Sequence, residues 1–490
     1  MYHSAKVPFA FDYADNDLDV NPGSAGDHGT HVAGIAAGNA GVVDDVVGIA
    51  PQAQILAMKV FSSSGSNGAT WDDILAAADD AVTLVADVIN MSLGSTCGFS
   101  TPEGDEEVAK VFENIAASGV MLSISAGNEY SAALGTQIGK GHALTANPDY
   151  GSVASPSSYS QSLSVASVEK EATIDSFYFT ANGRKVAFND TAEDSTASGV
   201  DASSKTFRSL AGQSLTYVAV PNFGEAADYE DLDVSGKIAL VSRGSISYQD
   251  KKEAAKNAGA VGMVVYNNEP GMLYMQLDEY DLPSAFISQA DGKYLLSAES
   301  TALTVASVSG KVDNPTSGEM SDFSSWGVTP DLKLKPEIAG VGGNIYSTRD
   351  PSIAGSNYGL MSGTSMATPQ IAGAMAVLMQ YLRQNYPQYQ EAELRQVAAN
   401  LLMSTADPIL DSNGLEVSPR GQGAGLANLV KATSSLAYLS NAQAYENRAK
   451  AELGDDDAKN GVYTFPFTIN NMSGEKDLTY TFNASILTET

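Results

Sequence analysis

The stretch Val120-Met121-Leu122-Ser123-Ile124-Ser125-Ala126-Gly127-Asn128 decides the fold. Its first six residues form a short, near-continuous apolar run, the pattern of a parallel strand buried on both faces. The run ends in Gly-Asn, an ordinary turn pair. The carboxyl ends of strands are also where open α/β sheets hold their ligands. Similar runs occur at 55–61, 85–93 and 163–168, and small-residue helical stretches occupy 28–38, 71–82 and 106–118. Strands alternating with helices predict an α/β protein with a doubly wound, mostly parallel sheet.

The pattern changes over 171–317. Short strands are expected at 237–241, 261–266 and 284–288, with one helix over 250–258, among polar and acidic loops. This reads as a smaller β-rich domain inserted into the first. The α/β pattern then resumes, with helices expected at 365–384 and 391–404. Farther on, Tyr463, Phe465, Phe467 and Ile469 alternate with Thr464, Pro466 and Thr468, and Leu478, Tyr480 and Phe482 alternate with threonines. That is the start of a β-sandwich. The expected division is 1–170 and 318–445 for the α/β domain, 171–317 for the insert and 446–490 for the sandwich.

The 490 residues are 43% hydrophobic, enough for sizeable cores. The formal net charge of −31 excludes a nucleic-acid partner, which needs a basic face. The acidic surface reads first as a solvated one. The alternative is that acidic loops bind structural Ca²⁺, although no run has the spaced carboxylates of a calcium loop. Cys97 is the only cysteine, so no internal disulfide forms, and it reads as a buried small apolar residue. No run is long and apolar enough to span a bilayer, and the first residues lack an apolar signal core. Both ends read as cuts through a longer protein.

Three motifs carry chemistry. The first is Gly363-Thr364-Ser365-Met366-Ala367-Thr368-Pro369, ahead of an apolar helical run. A serine at a helix N-terminus has backbone N–H groups and the positive end of the helix dipole beside it, which favours an oxyanion there. Pro369 is expected in the first turn, where no N–H is needed. The bland reading of Ser365 is a helix cap.

The second motif is Asp27-His28-Gly29-Thr30-His31-Val32-Ala33-Gly34. A serine hydroxyl needs an adjacent base to become a nucleophile. The chain has four histidines, His3, His28, His31 and His142. The spacing of His28 and His31 lacks the zinc-peptidase pattern, so no metal site is expected there, and His31 reads as structural. The third motif is Ser125-Ala126-Gly127-Asn128, where the Asn128 amide is placed to donate to an oxyanion.

In this chain order the three motifs resemble the subtilase family of serine endopeptidases, over about 28–168 and 320–435. The resemblance implies His28 as general base, Ser365 as nucleophile and Asn128 as oxyanion donor. It implies protein or peptide substrates, no required cofactor, and a substrate cleft bordered by Ser92, Leu93, Gly94, Ser125, Ala126 and Gly127. Segments 235–244 and 258–262 resemble a protease-associated domain. Segments 323–327 and 418–425 resemble the large cell-envelope subtilases of the lactocepin and complement-cleaving type. That branch implies a secreted or envelope-attached protein with a fibronectin type III-like domain after the catalytic unit. One departure is Gly340-Val341-Gly342, where the family commonly has Ala-Pro-Gly.

The larger departure is the triad carboxylate. The family order is Asp, His, Ser, with the Asp ending a buried strand. No such strand is expected before His28, because Asp12, Asp15, Asp17, Asp19 and Asp27 lie in loop-like sequence. No third triad member is assigned, and the chain reads as a truncated form. The competing reading is a non-catalytic surface binding protein on a subtilase scaffold. An esterase elbow, Gly-x-Ser-x-Gly, fails at Ala367.

Overall fold

The computed structural model describes residues 2–21, 23, 26–39, 46–64, 68–95, 98, 106–130, 151–169, 173–193, 203–244, 246–268, 275, 277–314, 316–354, 356–411, 414–454, 459–474, 476–481 and 484–486. Cys97 lies outside them. The chain divides into two compact units, Met1–Lys170 with Phe323–Thr490, and Glu171–Asp322.

The first part of the larger unit runs β1 (Phe9–Asp12), α1 (His28–Ala37), β2 (Leu56–Lys59), α2 (Trp71–Thr83), β3 (Val88–Met91), α3 (Glu106–Ala117), β4 (Met121–Ser125) and β5 (Ser162–Glu169). The apolar runs read from the sequence become β2 to β5, and the helical stretches become α1 to α3. β4 is buried at every position, as its continuous hydrophobicity requires.

The smaller unit contains β6 (Thr173–Ala181), β7 (Arg184–Asp190), β8 (Leu215–Ala219), β9 (Ile238–Ser242), α4 (Tyr248–Asn257), β10 (Gly262–Tyr266), β11 (Ser284–Ile287), α5 (Gln289–Ser297), β12 (Ala302–Val305) and β13 (Gly310–Asp313). Its strands follow the order β12-β8-β9-β10-β11-β7-β6, and β12 pairs back onto β6, so the sheet closes on itself. Side-chain alternation makes two cores. Leu240 and Val264 join Phe179, Phe188 and Phe207 in one. Val241, Met263 and Val265 face the opposite way, onto Ala255 of α4 and Phe286.

The larger unit resumes with β14 (Ile338–Gly343), β15 (Ile345–Thr348), α6 (Pro351–Ala354), β16 (Tyr358–Met361), α7 (Thr364–Asn385), α8 (Glu391–Ser404), α9 (Pro419–Gln422), α10 (Leu429–Ser434), β17 (Ala437–Ser440) and β18 (Thr468–Asn471). β14, β5, β4 and β3 form a parallel sheet in that order. The apolar side of α7 packs on it, so Ile371, Met375, Leu378 and Leu382 share a core with Leu163, Val165 and Ile338.

The structure corrects three expectations. A strand does precede His28: β1 ends in Asp12 and pairs parallel with β2. It is only four residues long, so it carries too little periodicity to be read. Pro369 lies in the second turn of α7, not the first, because the helix starts at Thr364. The alternating run near 463–469 is strand only from Thr468, where it pairs with β17. Tyr463, Phe465 and Phe467 are exposed, and among the described residues no strand backs them.

The α1 helix crosses the β15–β16 hairpin without a gap. A Cβ on Gly34 would lie 2.2 Å from Thr348 Oγ1 and 2.4 Å from Ser347 Oγ. Gly34→Ala is therefore expected to destabilise the fold by about 1–3 kcal/mol, the range for overpacking. A lowered midpoint in chemical denaturation with an unchanged slope would show it; an unchanged midpoint would contradict it.

Candidate active site

Ser365 is the second residue of α7, a helix of 22 residues whose N-terminus rests against the ends of β3, β4 and β14. The Gly363 N–H donates to the Gly342 carbonyl at 3.0 Å, which fixes the turn onto β14. Ser365 Oγ is half-buried and donates to the Ser92 carbonyl at 3.4 Å.

Pro369 explains how the end of β3 is tied to this serine. In an α-helix residue 369 would donate its N–H to the carbonyl of Ser365, and proline has none to give. The Ser365 carbonyl instead accepts Ser92 Oγ at 2.8 Å. Ser92 follows β3, so the proline frees an acceptor and the strand end fills it. Ser92→Ala strands that carbonyl and is expected to cost about 1–3 kcal/mol. The loss is measurable by denaturation, and a neutral substitution would contradict the assignment.

Thr364 plays the matching part toward β4. Asn128 Oδ1 accepts both the Thr364 N–H and the Thr364 hydroxyl, each at 2.9 Å. Thr364 Oγ1 accepts the Gly127 N–H at 3.2 Å. With its oxygen engaged, the Asn128 amide turns Nδ2 to the Gly363 side, where a Cβ on Gly363 would be 3.5 Å away. Gly127 has φ +111°, and a Cβ there would lie 2.7 Å from Ser325 Oγ, so this turn requires glycine. Ser125 Oγ lies 3.5 Å from the Met91 carbonyl and 3.4 Å from that of Leu93, joining the ends of β4 and β3. Ala126 is fully buried, and its carbonyl accepts the Ala154 N–H at 2.8 Å. Gly94 meets the same segment: its Cβ would lie 2.9 Å from the Ser155 carbonyl oxygen. The sequence named Ser92 only as a border of the expected cleft and Thr364 only within its motif; the ties of Ser92 to the Ser365 carbonyl and of Thr364 to Asn128 were not read from it, and a hydroxyl beside a proline-freed carbonyl is the signal that was available.

His28 opens α1 and keeps an open face to solvent. Protein packed around the ring pushes its pKa below the ordinary histidine range, and the charge of Asp27 opposes this. His31 is fully buried, and its Nε2 lies 3.0 Å from the Ile345 carbonyl and 3.1 Å from that of Gly359. Both partners are acceptors, so Nε2 carries the proton and the ring joins α1 to both strands of the hairpin. Burial lowers its pKa, so it stays neutral.

Among the described residues no carboxylate hydrogen-bonds to His28. Asp12 is fully buried at the end of β1, but it is ion-paired with Lys59. Asp27 is buried and paired with Arg349 at 2.6 Å. Both acids that the fold buries before α1 already have a cation.

Among the described residues, no helix is long and apolar enough to cross a membrane. One acidic group, Glu253, Glu279 and Asp281, has metal-like spacing, yet Lys252 and Lys256 occupy it through Asp281.

The sequence pattern of the Subtilase family matches residues 3–425. The chain is 34% identical over 497 aligned positions to the PII-type proteinase of Lacticaseibacillus paracasei, covering 95% of this chain and 25% of that protein. It is 32% identical to the C5a peptidase of Streptococcus pyogenes serotype M3, covering 99% of this chain and 39% of that protein. The chain thus spans between a quarter and two-fifths of the length of these relatives. A subtilisin-like protease of Pseudoalteromonas sp. AS-11, Apa1, superimposes with a TM-score of 0.45 at 22% identity, covering 87% of this chain and 91% of that one. With the family pattern running through His28, Asn128 and Ser365, this chain belongs to the subtilase family.

Proposed function

We propose that this protein is a serine endopeptidase that cleaves protein chains through an acyl-enzyme on Ser365. His28 takes the Ser365 proton as general base and returns it to the leaving amine. Asn128 Nδ2 and the N-terminal N–H groups of α7 stabilise the oxyanion. The observation that carries this reading is the Thr364 clasp on Asn128 Oδ1, which leaves the amide N–H₂ to the Ser365 turn. Extended substrate pairs with Ser92, Leu93 and Gly94 on one side and Ser125, Ala126 and Gly127 on the other.

The depressed His28 pKa supports a base that is neutral near neutral pH. No cofactor enters these steps, and Ca²⁺ has a structural part at most. The closed barrel of Glu171–Asp322 is proposed to be a protease-associated domain. The resemblance to the cell-envelope branch supports a secreted or envelope-attached full-length protein, with a fibronectin type III-like domain after the catalytic unit.

The triad carboxylate is proposed to come from a strand outside these 490 residues. Two features support this. His28 has no carboxylate hydrogen bond among the described residues. The sheet is also divided: β1-β2 forms one parallel piece and β14-β5-β4-β3 another, so β2 and β3 are both edges. Met58 of β2 and Ile89 of β3 nevertheless pack against one apolar cluster, and both are only half-buried. An inserted parallel strand would pair both edges and bury them.

Cleavage of unfolded casein tests the activity. Ser365→Ala and His28→Ala are each expected to abolish it; cleavage surviving in Ser365→Ala would overturn the proposal. That no carboxylate hydrogen-bonds to His28 among the described residues is the observation that favours the second reading, a binding protein on the same scaffold.

A further inference from the structure

The turn that carries His28 is clasped by a segment more than three hundred residues away in sequence. The Asp27 carboxylate accepts Arg349 Nε at 2.6 Å and the Asp350 N–H at 2.9 Å across 322 and 323 positions. Thr348 Oγ1 donates to the Thr30 carbonyl at 2.7 Å, and Ser347 Oγ donates to the His31 carbonyl at 2.8 Å. His31 Nε2 reaches Ile345 and Gly359 on the two strands of the same hairpin.

Asp27 stands at the N-cap of α1, where an aspartate ordinarily caps with its side chain. Here it makes no cap bond, and its carboxylate is spent on Arg349 instead. The hairpin that supplies Arg349 leads, through β16 and Ser362, into Gly363 and, two residues on, Ser365. The base and the nucleophile are therefore mounted on opposite ends of one hairpin, and Asp27–Arg349 is the charged fastener at the base's end.

We propose that the Asp27–Arg349 ion pair positions His28 and sets the charge it feels, so that the two partners bias its protonation in opposite directions. The proposal rests on the reading of His28 as general base. Asp27 favours the imidazolium, and Arg349 disfavours it and screens Asp27. Among the described residues, the other charged or titratable groups on the elements packed against α1 are His31 on α1, Tyr346 on β15, Asp350 after β15, Tyr358 on β16, and Tyr381 and Arg383 toward the far end of α7; Ser92, Asn128 and Ser365 are uncharged. Arg349 acts on His31 as well, and His28 and His31 disfavour each other's protonation.

The test is a ring-proton NMR titration of the four histidines, with His28 assigned by its loss in His28→Gln. Asp27→Asn is expected to lower the His28 midpoint by about half a pH unit or more, and Arg349→Gln to raise it by a similar amount. Arg349→Lys is expected to return it toward the parent value. The pH midpoint of fluorophosphonate labelling at Ser365 should move with it in both variants, because labelling requires neutral His28. Midpoints that stay put, or that move the same way in both variants, would overturn the proposal, since loosening of the fold alone has no reason to give opposite signs. If Asp27→Asn does not fold, the sign of the Arg349→Gln shift decides. The titration needs no activity, so failure of Ser365 to label at all refutes the protease reading and leaves this result standing on its own.

Discussion

Extending these 490 residues upstream by an apolar strand that ends in aspartate is expected to raise peptide-bond turnover by about four orders of magnitude. The size follows from what that carboxylate does. It holds the imidazole in the productive tautomer and stabilises the imidazolium formed as Ser365 gives up its proton. In subtilisin its loss alone costs roughly 3 × 10⁴ in turnover, against about 2 × 10⁶ for loss of the serine or histidine. Neither buried acid before α1 can substitute without abandoning a cation, Lys59 for Asp12 and Arg349 for Asp27. The strand should also stabilise the fold by pairing the edges of β2 and β3, so turnover and denaturation midpoint are expected to rise together. Turnover of a fluorogenic peptide by the two forms decides the matter. Equal rates would show that His28 works without the added carboxylate, and that the divided sheet has no part in catalysis.

Glu337→Ala is expected to be the most damaging single substitution away from the site, at about 3–5 kcal/mol. Glu337 is almost wholly buried, and three cations converge on it: Lys335 at 2.9 Å, Arg448 at 3.2 Å and Lys450 at 3.1 Å. It also accepts the Ser164 N–H at 2.8 Å, next to β5's buried core positions. Lys335 is itself fully buried and donates to the Ser162 carbonyl and hydroxyl at 3.0 and 2.9 Å. Removing the carboxylate leaves the buried Lys335 without a counter-ion among the described residues, while Arg448 keeps Glu446 at 3.4 Å and Lys450 keeps Glu452 at 2.9 Å. The cluster also binds the segment after β17 to the α/β domain, because Arg448 donates to the Ser162 carbonyl at 2.6 Å.

The same residue gives a pH dependence with a definite sign. Burial pushes the Glu337 pKa up, but the charges of Lys335, Lys450 and Arg448 and the Ser164 N–H outweigh it and hold it far below the usual carboxylate range. Its folded pKa is depressed, so its contribution is fully present above about pH 4.3, the ordinary glutamate value, and is lost as pH falls toward the folded value. Stability of the parent is expected to fall across that acid window, and the fall should be shallower in Glu337→Gln. Parallel acid limbs in the two proteins would contradict this.

The sequence displays the parts of this molecule whose hydrophobicity is periodic or continuous. β2 to β5, α1 to α3 and α7 follow from runs of small and apolar residues, because burial on both faces leaves an unambiguous trace. The site motifs were equally plain, since Ser365, His28 and Asn128 each sit at or just beyond an element's end. Three kinds of information were hidden. β1 is too short to show a period. The Lys335–Glu337–Arg448 cluster is composed of residues that ordinarily mark solvent, and only their convergence makes burial tolerable. Asp27 and Arg349, or Ser92 and the Ser365 carbonyl, are partners across more than two hundred and seventy positions, and no local pattern records such pairings.

Whether Ser365 is an activated nucleophile is tested most directly by fluorophosphonate labelling of the folded protein at neutral pH, with the modified peptide identified by mass spectrometry. A single adduct on Ser365, lost in Ser365→Ala and strongly slowed in His28→Ala, is the predicted result. No adduct on Ser365, or one whose rate is indifferent to His28, would contradict it.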